Sequence, residues 1–451
     1  DVYKRQDWYV AHSSLMADML PVANTQLGPG SLAAILGGVF EGGEDTIWIH
    51  PDPNFNDEIV FNPEHPNWLL HKELLKACKA KANGNYFVGM PDLMEGLDVL
   101  AALKGTDMVL LDTVMQSEVL EQQMQQINDI YFKVFDELYD IIREGDEMAF
   151  CYFSSWAPGK MSKLQSDIST MISQDDYRRF VQPFIREQCQ KIDYTLYHLD
   201  GVGAMHHLPA LLEIEELNAI QWTPGVGEPQ GGSPKWYDLY KKILAGGKSV
   251  MACWVTLEEL KPLLDHIGAD GVHLEMDFHN EREVEQAMRI IEEYTGSSSS
   301  VSADVHTNQP VGEQDNAQES IRIREEKSQE EDRMKPLYDA IVAGKLEPAV
   351  EVTKDAIAAG VLPQDIINGY MITAMGEVGQ RFQDGKAFVP QLLMAGRAMK
   401  GALELLKPLL AGNASATIGK IVIGTVKGDL HDIGKNLVAS MLEGCGFEES
   451  N

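Results

Sequence analysis

Three residues near the C-terminal end of the sequence have types and a spacing that could hold a metal complex. They are Asp429, His431 and Gly434, in the segment TVKGDLHDIGKN. A neutral imidazole can bind a metal through one ring nitrogen while its other N–H donates to a carboxylate, which fixes the tautomer and strengthens the ligand. Asp429 is close enough in sequence to be that carboxylate. Gly434 would let the backbone approach a bulky ligand.

Two other interpretations of this segment are a histidine on a surface loop and a degenerate phosphate-binding loop. A P-loop has four residues between its glycines, whereas five lie between Gly428 and Gly434. Asn436 stands where a P-loop needs Ser or Thr, and the two aspartates of the segment would repel phosphate. The sequence therefore disfavours a phosphate site here.

Short apolar runs alternate with amphipathic helical stretches through the first two thirds of the chain. The predicted strands are DMVLLDTV (107–114), EMAFCYFS (147–154), YTLYHLDG (194–201), AIQWTPG (219–225), SVMACWV (249–255) and GVHLEMDF (271–278). Between them, stretches such as 122–145 and 175–192 carry apolar residues at helical steps. Strand and helix in alternation predict an α/β fold, and a (β/α)8 TIM-type barrel fits better than an open sheet.

Barrel enzymes place their chemistry at the C-terminal ends of the strands. The polar residues at these predicted ends are Asp112, His198, Asp200, Gln221, Glu275 and Asp277. We therefore expect the catalytic residues of the first domain to be among them.

Composition and hydrophobic periodicity divide the chain into four predicted segments. Residues 7–295 form the barrel domain, and the polar, Ser-rich segment 296–325 is a flexible linker. The pattern of residues 326–412 predicts a four-helix bundle, with Gly and Pro in the segments between helices. Residues 416–451 supply a buried strand, a loop and a helix, the first βα unit of a Rossmann-like domain.

Composition narrows the class of protein further. The chain has 451 residues and a formal net charge of −32, which disfavours nucleic acid and anionic membrane surfaces as partners. Five scattered cysteines without a CxxC pair indicate a reducing compartment, and we expect a cytoplasmic protein. The first residue is not Met and the last residues follow an apolar helix, so we expect a fragment whose barrel and Rossmann-like domain are both incomplete.

Residues 328–451 resemble the corrinoid-binding region of cobalamin-dependent methionine synthase and of small corrinoid proteins. The resemblance rests on GEVGQRFQDGKAFVPQLLMAGRAMK (376–400) and VKGDLHDIGKN (426–436). It implies a cobalamin cofactor with His431 as the lower ligand of cobalt and Asp429 as the hydrogen-bond partner of His431.

The same resemblance implies a helical cap over the cofactor. Phe382 and Val389 fall where the cap of that family shields the upper, methyl-bearing face of the corrinoid. The alternative is that both side chains belong only to the core of the bundle, because apolar residues at helical spacing usually do.

Residues 7–295 resemble, less specifically, the uroporphyrinogen decarboxylase superfamily, which includes zinc-dependent methyltransferases. Where its coenzyme M methyltransferases hold zinc with H-x-C and a later Cys, this chain has His198-x-Asp200 and Glu275. One histidine and two carboxylates can hold Zn²⁺ with an open position, and an oxygen-rich site suits polarising an ether oxygen or an amine. The alternative is that His198 and Asp200 bind substrate by hydrogen bonds without a metal.

Together the two resemblances imply a corrinoid-dependent methyltransferase. A small O- or N-methylated donor would bind in the barrel, with His198, Asp200 and Glu275 as catalytic residues, and would pass its methyl group to cobalt. A second methyltransferase or an acceptor such as tetrahydrofolate or a thiol would collect it. The alternatives are a methylcobamide:thiol methyltransferase of the coenzyme M type, a corrinoid carrier with a catalytically silent barrel, and a uroporphyrinogen decarboxylase-like decarboxylase.

Overall fold

The chain divides into two compact units, Asp1–Ser297 and Ser298–Asn451. The computed structural model describes residues 2–13, 15–16, 19–25, 30–42, 47–52, 55–153, 155–295, 327–410, 420–423, 442 and 448–450. The predicted linker 296–325 and the predicted cofactor residues Asp429, His431 and Gly434 lie outside the described residues.

The first unit alternates strands with helices along the chain. Its strands are β1 (Val22–Ala23), β2 (Val39–Gly42), β3 (Ile47–His50), β4 (Phe87–Met90), β5 (Met148–Phe150), β6 (Trp156–Ala157), β7 (Met161–Leu164), β8 (Tyr194–Asp200), β9 (Ala219–Thr223), β10 (Ser249–Ala252) and β11 (Val272–Leu274). Its α-helices are α1 (Val2–His12), α2 (Ser31–Ile35), α3 (Pro66–Ala82), α4 (Gly96–Lys104), α5 (Thr106–Met115), α6 (Ser117–Ile142), α7 (Gln174–Phe180), α8 (Gln182–Lys191), α9 (Leu208–Leu212), α10 (Tyr237–Ala245), α11 (Leu257–Ile267) and α12 (Glu281–Thr295). Short 3₁₀ turns occupy Asp167–Met171, Val202–His207 and Pro234–Trp236.

Hydrogen bonds order these strands into two main sheets. The first sheet has the order β1-β4-β5-β6, and the second has the order β7-β8-β9-β10-β11. Every pair in them is parallel except β5 with β6, while β2 and β3 form a separate antiparallel pair. The predicted α/β class with parallel strands and crossover helices is therefore confirmed. Within the described residues no backbone ladder joins β5 to β7 or β11 to β1, so these ladders stop short of the closed barrel ring that the sequence predicts.

Alternation along the second sheet separates a polar face from an apolar face. In register, His198 of β8 lies beside Gln221 of β9, while Leu199 lies beside Trp222. The fully buried residues of the apolar face include Leu164, Leu199, Ile220, Trp222, Val250 and Ala252. Each large buried side chain of this face contributes about 2 kcal/mol of hydrophobic free energy. Because successive side chains of a strand point to opposite faces, the other face is left for polar groups.

One predicted strand is wrong. Residues 107–114 lie in α5, and Asp112 is consequently not at the end of a strand. Its carboxylate accepts a hydrogen bond from Lys104 Nζ at 2.6 Å, so Asp112 is part of a buried ion pair between α4 and α5. A short apolar run does not distinguish a buried helix from a buried strand, which explains the error.

The second unit contains a helical bundle, as the sequence predicts. Its helices are α13 (Lys327–Val342), α14 (Leu346–Ala358), α15 (Pro363–Ile366), α16 (Ile372–Gln383) and α17 (Val389–Leu410), with a π-helical turn at Ile367–Met371 between α15 and α16. Gly344, Gly360 and Gly385 follow helix ends with φ of 66°, 82° and 69°, a conformation that glycine adopts at no steric cost. The buried core includes Leu337, Ile341, Met371, Ala398, Met399 and Leu406.

Two short strands follow the bundle. They are β12 (Lys420–Val422) and β13 (Glu448–Ser450), and they pair in parallel. The sequence predicts the first of them, whereas Glu448–Ser450 is not predicted as a strand.

No described helix combines the length and the apolar character that crossing a membrane requires.

Candidate functional site

A chain of polar contacts crosses four neighbouring strands of the second sheet, within or just after their C-terminal halves. His198 Nδ1 contacts Gln221 Oε1, and Gln221 Nε2 donates to Cys253 Sγ at 3.1 Å. The Cys253 thiol in turn hydrogen-bonds Glu275. Burial, followed by the Glu275 carboxylate, raises the pKa of Cys253, so this sulfur remains a thiol at neutral pH. The face therefore offers an imidazole, an amide, a thiol and a carboxylate in one row.

The predicted pair His198 and Asp200 is brought together by the structure. His198 Nε2 lies 3.9 Å from Asp200 Oδ2, both near the end of β8. Burial, and then the positive charge of Lys163, lowers the pKa of His198, so its imidazole is neutral at pH 7. A neutral imidazole beside a carboxylate can accept a proton or orient a bound molecule.

The predicted zinc ligands do not fit a metal site in the described structure. Glu275 is linked to His198 only through Gln221 and Cys253, so an amide side chain lies between the histidine and the second carboxylate. Among the described residues no group of three or more His, Cys, Asp or Glu side chains is arranged to hold a metal ion. The structure therefore does not support zinc at this position.

A buried cluster of charges, which the sequence analysis missed, adjoins this face. Lys163 Nζ of β7 donates to Asp92 Oδ2 at 2.6 Å, and both side chains are at most 3% exposed. Burial lowers the pKa of Lys163, but Asp92, Glu95 and Asp167 together outweigh this effect, and the net shift is upward. The lysine is therefore held in its charged form. The only sequence signal is the acidic spacing in PDLMEGLD (91–98), three carboxylates in an otherwise apolar stretch.

Two further acids of this stretch bind backbone donors of the segment after β7. Glu95 Oε2 accepts from the Gln165 N–H at 2.7 Å, and the Asp98 carboxylate accepts from the Asp167 and Ile168 N–H groups at 2.8 and 2.9 Å. Burial raises the pKa of Glu95 and Asp98 despite these hydrogen bonds. Enclosure by protein atoms, and then the Asp98 carboxylate, raises the pKa of Asp167. The pKa of Asp167 rises to about 8, so this acid retains its proton beside the polar face near neutral pH.

His206 and His207, which the sequence places after the His198 segment, have structural roles. His207 is 1% exposed, stacks on the Tyr177 ring at 4.3 Å, and its Nε2 donates to the Ser169 carbonyl at 2.7 Å. Burial lowers the pKa of His207 to about 4. His206 contacts the carbonyls of Gly203 and Ile172.

A cavity of about 820 Å³ lies beside the polar face. Its wall includes Glu275 from the end of β11 and Phe153 from the segment after β5. The Phe153 ring centroid is 5.7 Å from that of His198, so the cavity adjoins the predicted catalytic histidine. A cavity bordered by convergent polar groups is the usual form of a small-molecule site.

The structure separates the two predicted cap residues of the second unit. Val389 is 4% exposed and lies in the core at the start of α17, whereas Phe382 of α16 is 44% exposed. Gly376 and Gly379, about two turns and one turn before Phe382, are exposed, and a side-chain carbon at either would meet no atom within 4 Å. The exposed ring thus lies beside a stretch of bare backbone.

Comparisons with known proteins bear on the second unit. Residues 334–407 match the family model of the B12 binding domain. The chain is 45% identical over 112 residues to trimethylamine corrinoid protein 1 of Methanosarcina mazei, which is 24% of this chain and 52% of that protein. It is 41% identical over 119 residues to the dimethylamine corrinoid protein of Methanosarcina barkeri, 26% of this chain and 55% of that protein. The chain therefore spans about half the length of the curated relatives that it matches.

Solved structures give further matches. The monomethylamine corrinoid protein of Methanosarcina barkeri is 38% identical, with 26% of this chain and 56% of that chain covered and a TM-score of 0.20. A methyltransferase from Methanosarcina mazei is 10% identical, with 59% of this chain and 78% of that chain covered and a TM-score of 0.41. From the sequence matches, the second unit is similar to corrinoid proteins and contains a region that matches the B12 binding domain, which supports cobalamin as its cofactor.

Proposed function

We propose that this chain is a corrinoid-dependent methyltransferase. It would bind a small methylated donor at the polar face of the first unit and pass the methyl group to cobalt of a corrinoid bound by the second unit. The match of residues 334–407 to the B12 binding domain carries the proposal. The polar face and its adjoining cavity supply a place for the donor.

The residues of the second unit fit a corrinoid in two ways. Phe382 beside the bare backbone at Gly376 and Gly379 offers a flat, partly apolar surface to a macrocycle. His431 and Asp429, which lie outside the described residues, are of the types that a lower cobalt ligand and its hydrogen-bond partner need. When bound, the corrinoid supplies a cobalt centre that can accept and release a methyl group.

Variants of Phe382 and Val389 distinguish a side chain that shields the corrinoid from one that packs in the core of the bundle. Because Phe382 is exposed, we expect Phe382→Ala to change the free energy of unfolding of the second unit by less than about 1 kcal/mol. Because Val389 is buried, Val389→Ala should cost about 2 kcal/mol. Thermal unfolding followed by circular dichroism measures both. With cobalamin added, only Phe382→Ala should alter the cofactor's absorption spectrum without loss of stability. A destabilised Phe382→Ala protein with an unchanged cofactor spectrum would show that Phe382 acts in core packing and does not shield the cofactor.

For the first unit, we propose that the two sheets are arcs of one (β/α)8 barrel of the uroporphyrinogen decarboxylase type. The chain order of the strands and the polar groups at their C-terminal ends support this. His198 and Asp200 would orient the donor, and Glu275 would contact it from the cavity wall. The acidic cluster around Asp98 and Asp167 could supply a proton to a leaving oxygen or nitrogen.

Methyl transfer to added corrinoid tests the proposed activity. The full chain is mixed with excess reduced cobalamin and a methylated donor, and methylcobalamin formation is followed by absorption. His198→Ala should slow the reaction at least about 100-fold, since general acid–base groups contribute factors of this size. Glu285→Gln, an exposed acid on α12, should react at the original rate. An undiminished rate in His198→Ala would contradict the assignment of the first unit.

A corrinoid carrier that serves a separate methyltransferase is the second candidate, because the matched relatives are themselves named as corrinoid proteins. The same experiment distinguishes the two. A carrier would take up methyl groups only when another methyltransferase is added. In both cases a further acceptor, such as tetrahydrofolate or a thiol, or a second methyltransferase, would remove the methyl group.

A further inference from the structure

The cavity beside the polar face has an unbalanced charge. Three carboxylate residues, Glu275, Asp277 and Glu281, are among its lining residues. None of the described residues that line it is Lys or Arg. A concave site lined by one sign of charge concentrates ligands of the opposite sign. The cavity therefore favours a cation over an anion.

The remaining wall is mostly apolar, with aromatic rings and thioethers among aliphatic side chains, and it includes the imidazoles of His12, His273 and His279. Tyr9, Phe153 and Phe278 contribute rings, and the methionines are Met16, Met19, Met276 and Met288. Ring faces attract cations, most strongly those with weak hydration such as methylated ammonium groups. Methionine side chains adapt to irregular apolar shapes such as a cluster of methyl groups. This composition suits a cation that carries methyl groups better than a hydrated ion such as an alkali metal.

One carboxylate oxygen in the wall lacks a partner. Glu275 interacts with the Cys253 thiol, but its Oε2 is buried and has no hydrogen-bond partner among the described residues. A buried acceptor without a partner costs free energy, and a nearby positive charge can offset that cost. Glu275 follows β11 on the polar face, and the Phe153 ring connects the same cavity to His198.

We propose that this cavity binds a quaternary methylammonium cation, and, resting on the proposed function, that such a cation is the methyl donor. Its charge resides on the nitrogen that must leave. When the bond from nitrogen to methyl carbon breaks, the electron pair remains on nitrogen and a neutral tertiary amine departs. The methyl group passes to the nucleophile that the corrinoid supplies. This step needs neither a proton nor a Lewis acid at the leaving atom.

A pair of ligands that differ only in charge tests the binding site. Choline and 3,3-dimethylbutan-1-ol have nearly the same shape, but only choline is a cation. Isothermal titration of the full chain at pH 8, where imidazole groups are mostly neutral, should show choline binding at least about tenfold more tightly. The affinity for choline should also fall as salt is added.

Variants locate the interaction within the molecule. Glu275→Gln should remove most of the preference for choline, and Asp277→Asn, on an exposed residue of the same wall, should reduce it if Glu275→Gln fails to fold. Glu285→Gln, an exposed acid of α12 that does not line the cavity, should leave the preference unchanged. Equal binding of both ligands, no binding of choline, or an unchanged preference in the Glu275 and Asp277 variants would overturn the proposal.

The outcome is distinguishable from failure of the proposed function, because binding needs no corrinoid. Selective binding of choline without methyl transfer from any quaternary ammonium donor would support the cation site and overturn its role as the donor site. Methyl transfer from a neutral methyl ether, together with equal binding of choline and its neutral analogue, would overturn the cation site but would still support the proposed methyltransferase.

Discussion

Lys163→Met should lower the free energy of unfolding of the first unit by about 3 to 5 kcal/mol, the usual cost of breaking a buried ion pair from one side. The ammonium group lies 2.6 Å from Asp92, and both side chains are almost fully buried. The positive charge of Lys163 also lowers the pKa of Glu95 and of Asp98. Methionine has a similar length but no charge, so the variant would leave these acids without their cation. Urea unfolding followed by circular dichroism measures the loss.

The pH dependence of this loss identifies its cause. The charge of Lys163 lowers the pKa of Asp98 and of Asp167. Its removal would raise these pKa values further above those of the unfolded chain, so the folded state would lose more stability as the pH rises through them. The deficit should therefore be smaller at pH 5 than at pH 8. Lys163→Met combined with Asp92→Asn should regain much of the stability. Lys160→Met, which removes an exposed ion pair with Asp136, should cost less than about 1 kcal/mol. A deficit independent of pH would show that lost packing, and not charge, is the cause.

Gly344→Ala should destabilise the second unit by about 3 kcal/mol, from backbone strain together with overpacking. Gly344 follows α13 with a φ of 66°. A methyl group on it would lie 2.6 Å from Met394 Cβ and 3.2 Å from the Met394 carbonyl carbon in α17. Because one of these atoms belongs to the backbone, a change of rotamer cannot relieve the contact. Thermal unfolding of the bundle measures the effect.

Gly376→Ala is the matched control in the same bundle. A methyl group there meets no atom within 4 Å, and Gly376 lies inside α16 with ordinary helical geometry. Alanine should therefore stabilise the bundle by up to about 1 kcal/mol, because it is the better helix former. If both variants melted at the temperature of the original protein, the close approach of Gly344 to α17 would be absent in solution.

Hydrophobic periodicity predicts those strands that are short apolar runs bounded by turn residues. The runs that contain β5, β8, β9, β10 and β11 were all predicted as strands. By contrast, β1 has two residues, and β7 reads MSKL, with a lysine in a buried position. A buried lysine is explained only by its partner Asp92, 71 residues earlier in the chain, which no local pattern reveals.

The same limit applies to the candidate site. His198 and Asp200 were predicted from a local spacing, and they lie together because both are near the end of β8. The contacts through Gln221 and Cys253 to Glu275 depend on the lateral order of strands, which short-range patterns do not encode. The zinc prediction rests on the family resemblance of His198, Asp200 and Glu275, and the amide of Gln221 between the expected ligands explains why the structure does not support it.

The π-helical turn at Ile367–Met371 lets the helix carry one additional residue without changing the faces on either side of it. Such a turn holds about one residue more than an α-helical turn does, so the residues before and after it keep the positions that an uninterrupted α-helix would give them. Removing one residue from this turn would therefore leave an α-helix from Pro363 to Gln383 with Phe382 on its present side of the bundle. Removing one residue from the regular part of α16 before Phe382 would instead turn this side chain by about 100°, because each helical residue advances the chain by that angle. The same one-residue deletion thus preserves the cap surface at one place in this helix and reorients it a few residues later.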